Sequence, residues 1–221
     1  MNRTDLTAEP QAERSATQTR ERILDAAERL FAEHGLERVS TRDITALEEA
    51  NVGAISYYFG SKEGLVFAVF DRRLTPITEE RLAALDEVER AGGRAAPKAE
   101  AVLRAYIRPA VEHALNPKWG STSFAKLMGR LIGEPGTRTV ERLKKAHFDR
   151  LAQRFDAALL RAIPTLSTEG LVCGKTFIVG SLHYLLLMLD QSLPCLIERK
   201  PDCEDLVERL VRFATAGLRA A

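Results

Sequence analysis

Several side chains suited to catalysis occur in this sequence, but their spacing departs from the enzyme templates. Gly60-Ser61-Lys62 resembles the end of a phosphate loop, yet Ile55 stands where the leading glycine belongs. Val179-Gly180-Ser181 lacks the first glycine of a nucleophile elbow. The histidines contain no i, i+4 pair of the kind that binds zinc: His34, His113, His147 and His183. The spacing therefore predicts no catalytic residue, metal site or cofactor, and we expect that the protein is not an enzyme.

A second set of polar side chains is suited to holding phosphate groups. Ser40, Thr41 and Arg42 stand at the start of a predicted short helix, where N–H groups and the positive end of the helix dipole face outward. Asp43 follows Ser40 by three residues and predicts a capping box. Lys62 stands in the first turn of a later helix, so it is placed to contact another phosphate.

Residues 52–59 predict a short helix whose outer face is small enough to enter a DNA major groove, which is about 12 Å wide. Gly53, Ala54, Ser56 and Tyr57 form that face, while Val52 and Ile55 point inward. Phe59 is expected in the core rather than at a contact. Two short helices beneath a longer first helix have the proportions of a helix-turn-helix.

The apolar periodicity predicts an all-α fold of about nine helices, with no alternating pattern of the kind that forms a sheet. We expect a flexible tail over 1–16, a helix-turn-helix domain over 17–66 and a larger domain over 67–221. Pro76 either kinks one long helix or lies in the first turn of a new helix capped by Thr75. The predicted helices lie near 18–34, from Ser40, at 52–59, from Ser61, and at 98–115, 122–133, 137–162, 168–191 and 203–219.

Composition excludes several classes of protein. The 221 residues carry 32 Lys or Arg against 31 Asp or Glu, a formal charge of +1, and the chain is 45% hydrophobic. This is ordinary globular composition, not that of a disordered, collagenous or disulfide-rich protein. Three cysteines without C-x-x-C spacing, and no secretory segment, predict a cytoplasmic protein. The apolar stretch Phe177–Leu189 is shorter than the about 20 residues that span a membrane, so we expect a buried helix and no membrane partner.

The N-terminal motifs together resemble the TetR family of one-component transcriptional regulators. The matching segments span about 50 residues from Thr17 to Val69: Arg22–Ala27, Leu30–Gly35, Thr41–Ile44 and Tyr57–Leu65. The resemblance implies an all-helical homodimer that binds operator DNA with its first three helices and releases it when a ligand binds the larger domain. It places DNA contacts at Ser40, Thr41, Arg42, Ala54, Ser56, Tyr57, Tyr58 and Lys62.

One departure from the family pattern lies between the two short helices. Glu48-Glu49-Ala50 stands where the family usually carries a small-Gly-apolar turn. Losing glycine from a left-handed position costs roughly 1 kcal/mol, and two carboxylates near the DNA face repel phosphate. We therefore predict that Glu49→Gly raises the melting temperature. The same departure leaves open an interaction module whose helix-turn-helix does not bind DNA, beside the alternative of an all-α enzyme in the larger domain.

The C-terminal part is similar to TetR regulators that sense fatty acids or fatty acyl-CoA, in the segments Ala68–Pro76, Arg81-Leu82 and Phe124–Pro135. A ligand pocket needs apolar walls and a few polar anchors. The side chains predicted to line it are Trp119, Phe124, Leu127, Met128, Leu131, Phe148, Phe177 and His183. The side chains that could anchor an acidic head are Lys126, Arg130, His147 and His183.

The last two predicted helices are more apolar than one small domain needs, and in the family such helices pair with their counterparts in a dimer. The predicted interface consists of Leu182, Leu185, Leu186, Leu189, Leu206, Leu210 and Phe213.

The charge divides unevenly between the two parts of the chain. Residues 1–75 hold 10 Lys or Arg and 13 Asp or Glu, whereas the remainder holds 22 and 18. A net-acidic DNA-binding part predicts weak non-specific binding and a shallow salt dependence. Operator, effector and the choice between repression and activation stay open at this point.

Overall fold

The computed structural model describes residues 8–48, 51, 53–116, 121–133, 138–190 and 202–221, which contain ten α-helices and no strand. The all-α prediction is confirmed. In chain order the helices are α1 (Ala8–His34), α2 (Thr41–Leu47), α3 (Gly53–Phe59), α4 (Lys62–Gly92), α5 (Ala99–Leu115), α6 (Ser121–Gly133), α7 (Arg138–His147), α8 (Asp149–Ala162), α9 (Thr168–Asp190) and α10 (Cys203–Ala220).

The tenth helix arises because the predicted helix over 137–162 is divided at Phe148. This residue has φ −110° and ψ −30°, and α8 starts at the next residue, Asp149. No glycine or proline stands there, and the interruption is a single residue. The apolar period continues across Phe148, so the sequence carries no signal that a helix ends there.

The first helix begins at Ala8, ten residues earlier than predicted. The expected flexible tail over 1–16 is wrong from Ala8 onward, while residues 1–7 lie outside the described residues. This segment has no apolar period, but it is rich in Ala, Glu, Gln and Arg, which are strong helix formers. Pro10 lies in the first turn, where its missing N–H has no partner to lose.

Helix α4 runs through Pro76 without ending, which settles the two alternatives in favour of one long helix. No new helix starts at Thr75. Proline has no N–H, so it cannot donate the intrahelical hydrogen bond to the carbonyl of Arg72. The chain divides into two compact units between Arg72 and Arg73, within α4.

The N-terminal unit packs α1, α2, α3 and the first part of α4 around one core. Gly35 closes α1 with φ 90°, and Gly60 closes α3 with φ 76°, as their positions predict. The fully buried side chains of this core come from all four helices: Ile23, Leu24, Phe31, Ile44, Leu65, Val69 and Phe70, with Ile55 2% exposed.

The C-terminal unit contains the rest of α4 and helices α5 to α10. Helix α5 packs along α10, and α9 packs on both α6 and α10. Val102, Ile107 and Val207 are fully buried in its core. Cys173 and Cys203 are free thiols, and Cys195 lies outside the described residues.

Helix α9 differs from the buried helix that its apolar sequence predicts. It is 23 residues long, so by length and composition it could cross a membrane. Only 17% of its most apolar 18-residue stretch is buried. One face packs into the core through Leu171, Ile178 and Leu182, as in a soluble helical domain. The opposite face exposes Phe177 and other apolar side chains. A single helix of this kind is weak evidence for a membrane span.

Candidate DNA interface and ligand cavity

The capping box at the start of α2 is formed as the sequence predicts. The Asp43 N–H donates to Ser40 Oγ at 3.2 Å, and the Ser40 N–H donates to Asp43 Oδ2 at 2.8 Å. Ser40 Oγ also donates to Asp43 Oδ2 at 2.7 Å. These hydrogen bonds lower the pKa of the Asp43 carboxyl, so it stays ionised. The hydroxyl of Ser40 is therefore engaged by the cap, which holds the first turn of α2 in place.

Lys62 connects the start of α4 with the segment that leads into α2. Its Nζ donates to the backbone carbonyl of Glu37 at 3.2 Å. The Lys62 charge also lowers the pKa of Asp43, after the larger effect of the Ser40 hydrogen bonds. The two predicted phosphate-binding sites, at the N-termini of α2 and α4, therefore lie near each other.

Helix α3 presents the outer face that the sequence predicts. Ile55 is buried at 2% exposure, whereas Tyr57 is 81% exposed. Ser56 and Gly53 are exposed, and Ala54 is half-buried. A tyrosine this exposed contributes little to the core.

The aromatic residues at the end of α3 form a short row. The rings of Tyr57 and Tyr58 meet edge to face with centroids 4.8 Å apart, and Tyr58 lies 6.2 Å from Phe59. Phe59 is half-buried beneath the guanidinium of Arg20, 5.4 Å from its ring centroid. It is thus a packing residue, although not the core residue that we expected.

Glu48, the first residue of the unusual turn, is neutralised from α1. Arg22 Nε donates to its carboxylate at 3.0 Å, and Arg29 approaches the other oxygen at 3.5 Å. Its backbone has φ −105° and ψ 8°, which is not left-handed, so this position does not need glycine. The expected repulsion of phosphate does not apply to a carboxylate paired in this way. Glu49, for which stabilisation by glycine was predicted, lies outside the described residues.

Four of the seven cations whose side chains the structure describes in the N-terminal unit are paired with carboxylates. Arg72 contacts Glu21, Asp25 and Glu28, the last at 2.7 Å and itself buried. Arg20, Arg22 and Arg29 also have acidic partners. Among the described side chains of this unit, the cations that form no ion pair within 4.0 Å are Arg38, Arg42 and Lys62. All three stand next to or inside the first turn of α2 or α4.

Two structural residues of this site were not singled out from the sequence. The side chain of Asn51 accepts a hydrogen bond from the Gly53 N–H at 2.8 Å, and this cap starts α3. Gly64 lies so close to the end of α3 that a Cβ atom would be 2.0 Å from the carbonyl oxygen of Phe59. The asparagine was detectable as a capping residue type. The glycine requirement arises from the tight turn between α3 and α4, which brings Phe59 O against Gly64 five residues later.

The C-terminal unit contains a partly open cavity of about 100 Å³. Of the predicted pocket residues, Phe124, Met128, Phe148 and His183 line it. Helices α4, α5, α6 and α9 supply most of the remaining wall, which is predominantly apolar: Leu74, Ile77, Tyr106, Ala110, Ala114, Ala125, Val179, Leu182 and Leu186. Arg81 and His113 add polar groups.

Other predicted pocket residues lie elsewhere. Leu127 and Leu131 are buried in packing contacts away from the cavity wall, and Phe177 is 67% exposed on α9. Trp119 lies outside the described residues. Among the predicted anchors, Lys126 is exposed and His147 is buried, but neither lines the cavity, and the side chain of Arg130 is not described. An amphipathic helix presents similar residues to core, cavity and surface, so periodicity could not separate them.

Arg81 is the cavity residue that sequence reasoning missed as an anchor. It is only 6% exposed, and its Nε donates to the backbone carbonyl of Tyr106 at 2.7 Å. Its guanidinium carbon lies 4.0 Å from the centroid of the Tyr106 ring. Burial lowers the pKa of Arg81, and the structure gives it no carboxylate partner among the described residues. His113, by contrast, contacts Glu80 at 2.9 Å.

The predicted dimer residues fall into three groups. Leu182, Leu206 and Leu210 are buried in the core of their own unit. Partly buried side chains packed against that core are Leu185, Leu186 and Leu189. Phe213 is 61% exposed on α10. The exposed apolar side chains of α9 are Val172, Phe177, Val179 and Tyr184.

The fold and the site define a helix-turn-helix regulator with a separate helical domain. Residues 23–69 match the tetR family of bacterial regulatory proteins, and residues 104–217 match the Tetracyclin repressor-like, C-terminal domain. Because the second match covers more than half of the chain, the protein belongs to the TetR family. The resemblance drawn from the motifs is confirmed. The family consists of transcriptional regulators rather than enzymes.

Curated relatives match this chain over part of its length. An HTH-type transcriptional repressor of Mycobacterium tuberculosis is 44% identical over 71 residues, which are 31% of this chain and 38% of that protein. The HTH-type transcriptional dual regulator CecR of Shigella flexneri is 33% identical over 91 residues, 41% of this chain and 40% of that protein. The chain thus matches less than half the length of these curated relatives.

Solved structures show the same fold over most of the chain. The fatty acid degradation regulator FadR from Bacillus halodurans has a TM-score of 0.62 and 18% identity, covering 90% of this chain and 99% of that one. The hemolysin II transcriptional regulator HlyIIR has a TM-score of 0.60 and 20% identity, covering 90% and 97%. At these identities the likeness concerns the fold alone.

Proposed function

We propose that this protein is a transcriptional repressor that binds a palindromic operator as a homodimer and is released by a small effector. The observation that carries the proposal is the outer surface of the helix-turn-helix. There α3 offers Tyr57 at 81% exposure, beside cations that have no described acidic partner at the starts of α2 and α4. Exposed small and aromatic side chains suit base edges, and uncompensated cations suit phosphates.

The contacts divide into two kinds. Arg42, Lys62 and the N-terminus of α2 hold phosphates, whereas Gly53, Ala54, Ser56 and Tyr57 face the bases. Arg38 joins the phosphate contacts because it also lacks a described acidic partner. Ser40 acts mainly through the cap, since its hydroxyl already bonds to Asp43. Thr41 and Tyr58 complete the DNA surface, because they stand at positions that contact DNA in the family.

Dimerisation follows from the exposed apolar faces of α9 and α10. Phe177, Tyr184 and Phe213 are each more than 60% exposed in one protomer. Large exposed apolar side chains on two helices that pack together mark an interaction site, which a second copy would cover symmetrically. A dimer is also what a palindrome requires, because two recognition helices about 34 Å apart read successive half-sites.

The effector site is the cavity of the C-terminal unit. Its apolar wall and few polar groups fit a small amphiphile, and the resemblance to regulators that sense fatty acids or fatty acyl-CoA suggests a carboxylic acid with an apolar chain. A regulator of this kind works where the DNA is, so we place it in the cytoplasm.

Selection of bound fragments from random DNA with purified protein tests the proposal. We expect one palindromic sequence to be recovered, and Tyr57→Ala to abolish its enrichment while leaving the folded structure intact. A reporter gene under that sequence then distinguishes repression from activation. Absence of any enrichment at low salt would contradict DNA binding and favour an interaction module.

A further inference from the structure

We propose that Arg81 is the anion-binding residue of the cavity and that the ligand is a compact monocarboxylic acid with an apolar body. This deepens the proposed effector site and rests on it. The starting observation is a guanidinium buried in the cavity wall with no described carboxylate beside it.

A buried charge is costly unless a partner compensates it. Partly buried arginines elsewhere in this unit contact carboxylates, as Arg154 does at 2.6 Å from Asp86. Arg81 instead uses Nε for one carbonyl and stacks on the Tyr106 ring. This fixes the plane of the guanidinium and leaves its charge to be compensated by whatever occupies the cavity.

The charge of the site selects a monoanion. Arg81 supplies one positive charge. Of the two histidines in the lining, His113 is already paired with Glu80, and burial lowers the pKa of His183 so that its imidazole is neutral at pH 7. Planar guanidinium and planar carboxylate match in two parallel hydrogen bonds. A phosphate dianion would carry a second charge with no described cation to meet it.

The size of the cavity limits the apolar body. An engineered apolar cavity of about 150 Å³ accommodates benzene, and this one measures about 100 Å³. The part of the ligand held inside the cavity is therefore about four to six carbon atoms, and a longer chain would have to extend beyond the cavity without further apolar burial there.

Isothermal titration calorimetry of the DNA-free protein tests the inference with three probes of equal length: pentanoate, pentan-1-ol and pentylamine. We expect pentanoate to bind at least about tenfold more tightly than pentan-1-ol, and pentylamine not to bind. Along the series from acetate to dodecanoate, affinity should rise to about pentanoate or hexanoate and then stop rising. Equal affinity for acid and alcohol would overturn the role of Arg81, and a continuous rise to dodecanoate would overturn the size limit.

Two variants separate charge from shape. Arg81→Met should lose at least about tenfold in pentanoate affinity and keep its affinity for pentan-1-ol, which also shows that the cavity is intact. Ala114→Leu, whose larger side chain would fill part of the cavity, should lose affinity for both ligands. If Arg81→Met does not fold, the comparison of the three probes on the unmodified protein still decides.

The DNA-release step is measured separately. Fluorescence anisotropy of an operator fragment shows whether pentanoate dissociates the complex. Pentanoate binding without release would preserve the anion site and contradict the proposed effector function. Release of DNA by other compounds, with no preference for acids, would support the effector function and contradict the anion site.

Discussion

Arg22 and Glu48 lie 26 residues apart and are joined twice: Arg22 Nε donates to the Glu48 carboxylate at 3.0 Å, and Arg22 Nη2 donates to the Glu48 backbone carbonyl at 2.7 Å. The pair ties the end of α2 to α1. It also pairs the Glu48 carboxylate, which sequence alone suggests would repel DNA, with a cation of α1.

Glu48→Ala should therefore destabilise the N-terminal unit rather than improve DNA binding. The Glu48 side chain is 15% exposed and its arginine partners are more than half exposed, so we expect a loss of about 1 kcal/mol in the free energy of unfolding. Urea unfolding followed by circular dichroism measures it. Glu37→Gln, at an exposed position, is the control and should change stability by less than about 0.5 kcal/mol. Tighter operator binding by the Glu48 variant would contradict the neutralisation.

Gly64→Ala should destabilise the protein by about 2 kcal/mol or more, because a Cβ atom would meet the carbonyl oxygen of Phe59 at 2.0 Å. Either α3 or the first turn of α4 must move, and both carry predicted DNA contacts. Thermal unfolding and operator affinity should fall together. Gly92→Ala is the control, since a Cβ there meets nothing within 4 Å, and it should be neutral or slightly stabilising.

Helices and caps were predictable because their signals are local. The capping box of Ser40 and the stops at Gly35 and Gly60 were all found from residue type and spacing. The start of α1 at Ala8 was not predicted, because its first residues favour a helix by composition but lack the apolar period on which the prediction relied. The missed division at Phe148 lacks any glycine or proline.

The site was harder to predict because a side chain's environment depends on distant elements. The Arg81 sequence context is an ordinary polar position of a helix, and only packing against Tyr106 shows that it is buried. Phe177 shows the converse: its sequence context predicts a pocket residue, but the side chain is exposed. The DNA face was predictable because short helices carry their exposed residues close together in sequence.

Operator binding should show a salt dependence of moderate slope. Arg38, Arg42 and Lys62 give each protomer three cations with no described acidic partner, and a dimer six. With about 0.9 per neutralised phosphate, the slope of log K against log salt is roughly −5. Arg42→Ala should reduce its magnitude by about 2. Fluorescence anisotropy across salt concentrations measures it, and a slope as steep as roughly −10 would contradict the assignment.

Phe213→Glu should convert the dimer into a monomer. The ring is 61% exposed in one protomer and lies on α10, so the substitution leaves the core of its own unit unchanged while placing a charge in the proposed interface. Light scattering at micromolar concentration measures the change, and operator affinity should fall with it. Leu160→Glu is the matched control, because Leu160 is 40% exposed on α8, outside the proposed interface. An unchanged dimer in the Phe213 variant would place the interface elsewhere.

Acid should destabilise the C-terminal unit through His183. Burial lowers the pKa of its imidazole below the ordinary 6.5, and Nε2 is a buried atom with no hydrogen-bond partner among the described residues. The unfolded chain therefore takes up a proton near pH 6.5 that the folded chain resists, so stability is constant above that pH and is lost as the pH falls below it. His183→Gln, which cannot titrate, should flatten the dependence of the unfolding free energy between about pH 6.5 and 5. His34→Gln, at an exposed position, should leave that dependence in place. If the unfolding free energy falls equally in acid with and without His183, other groups control the acid sensitivity.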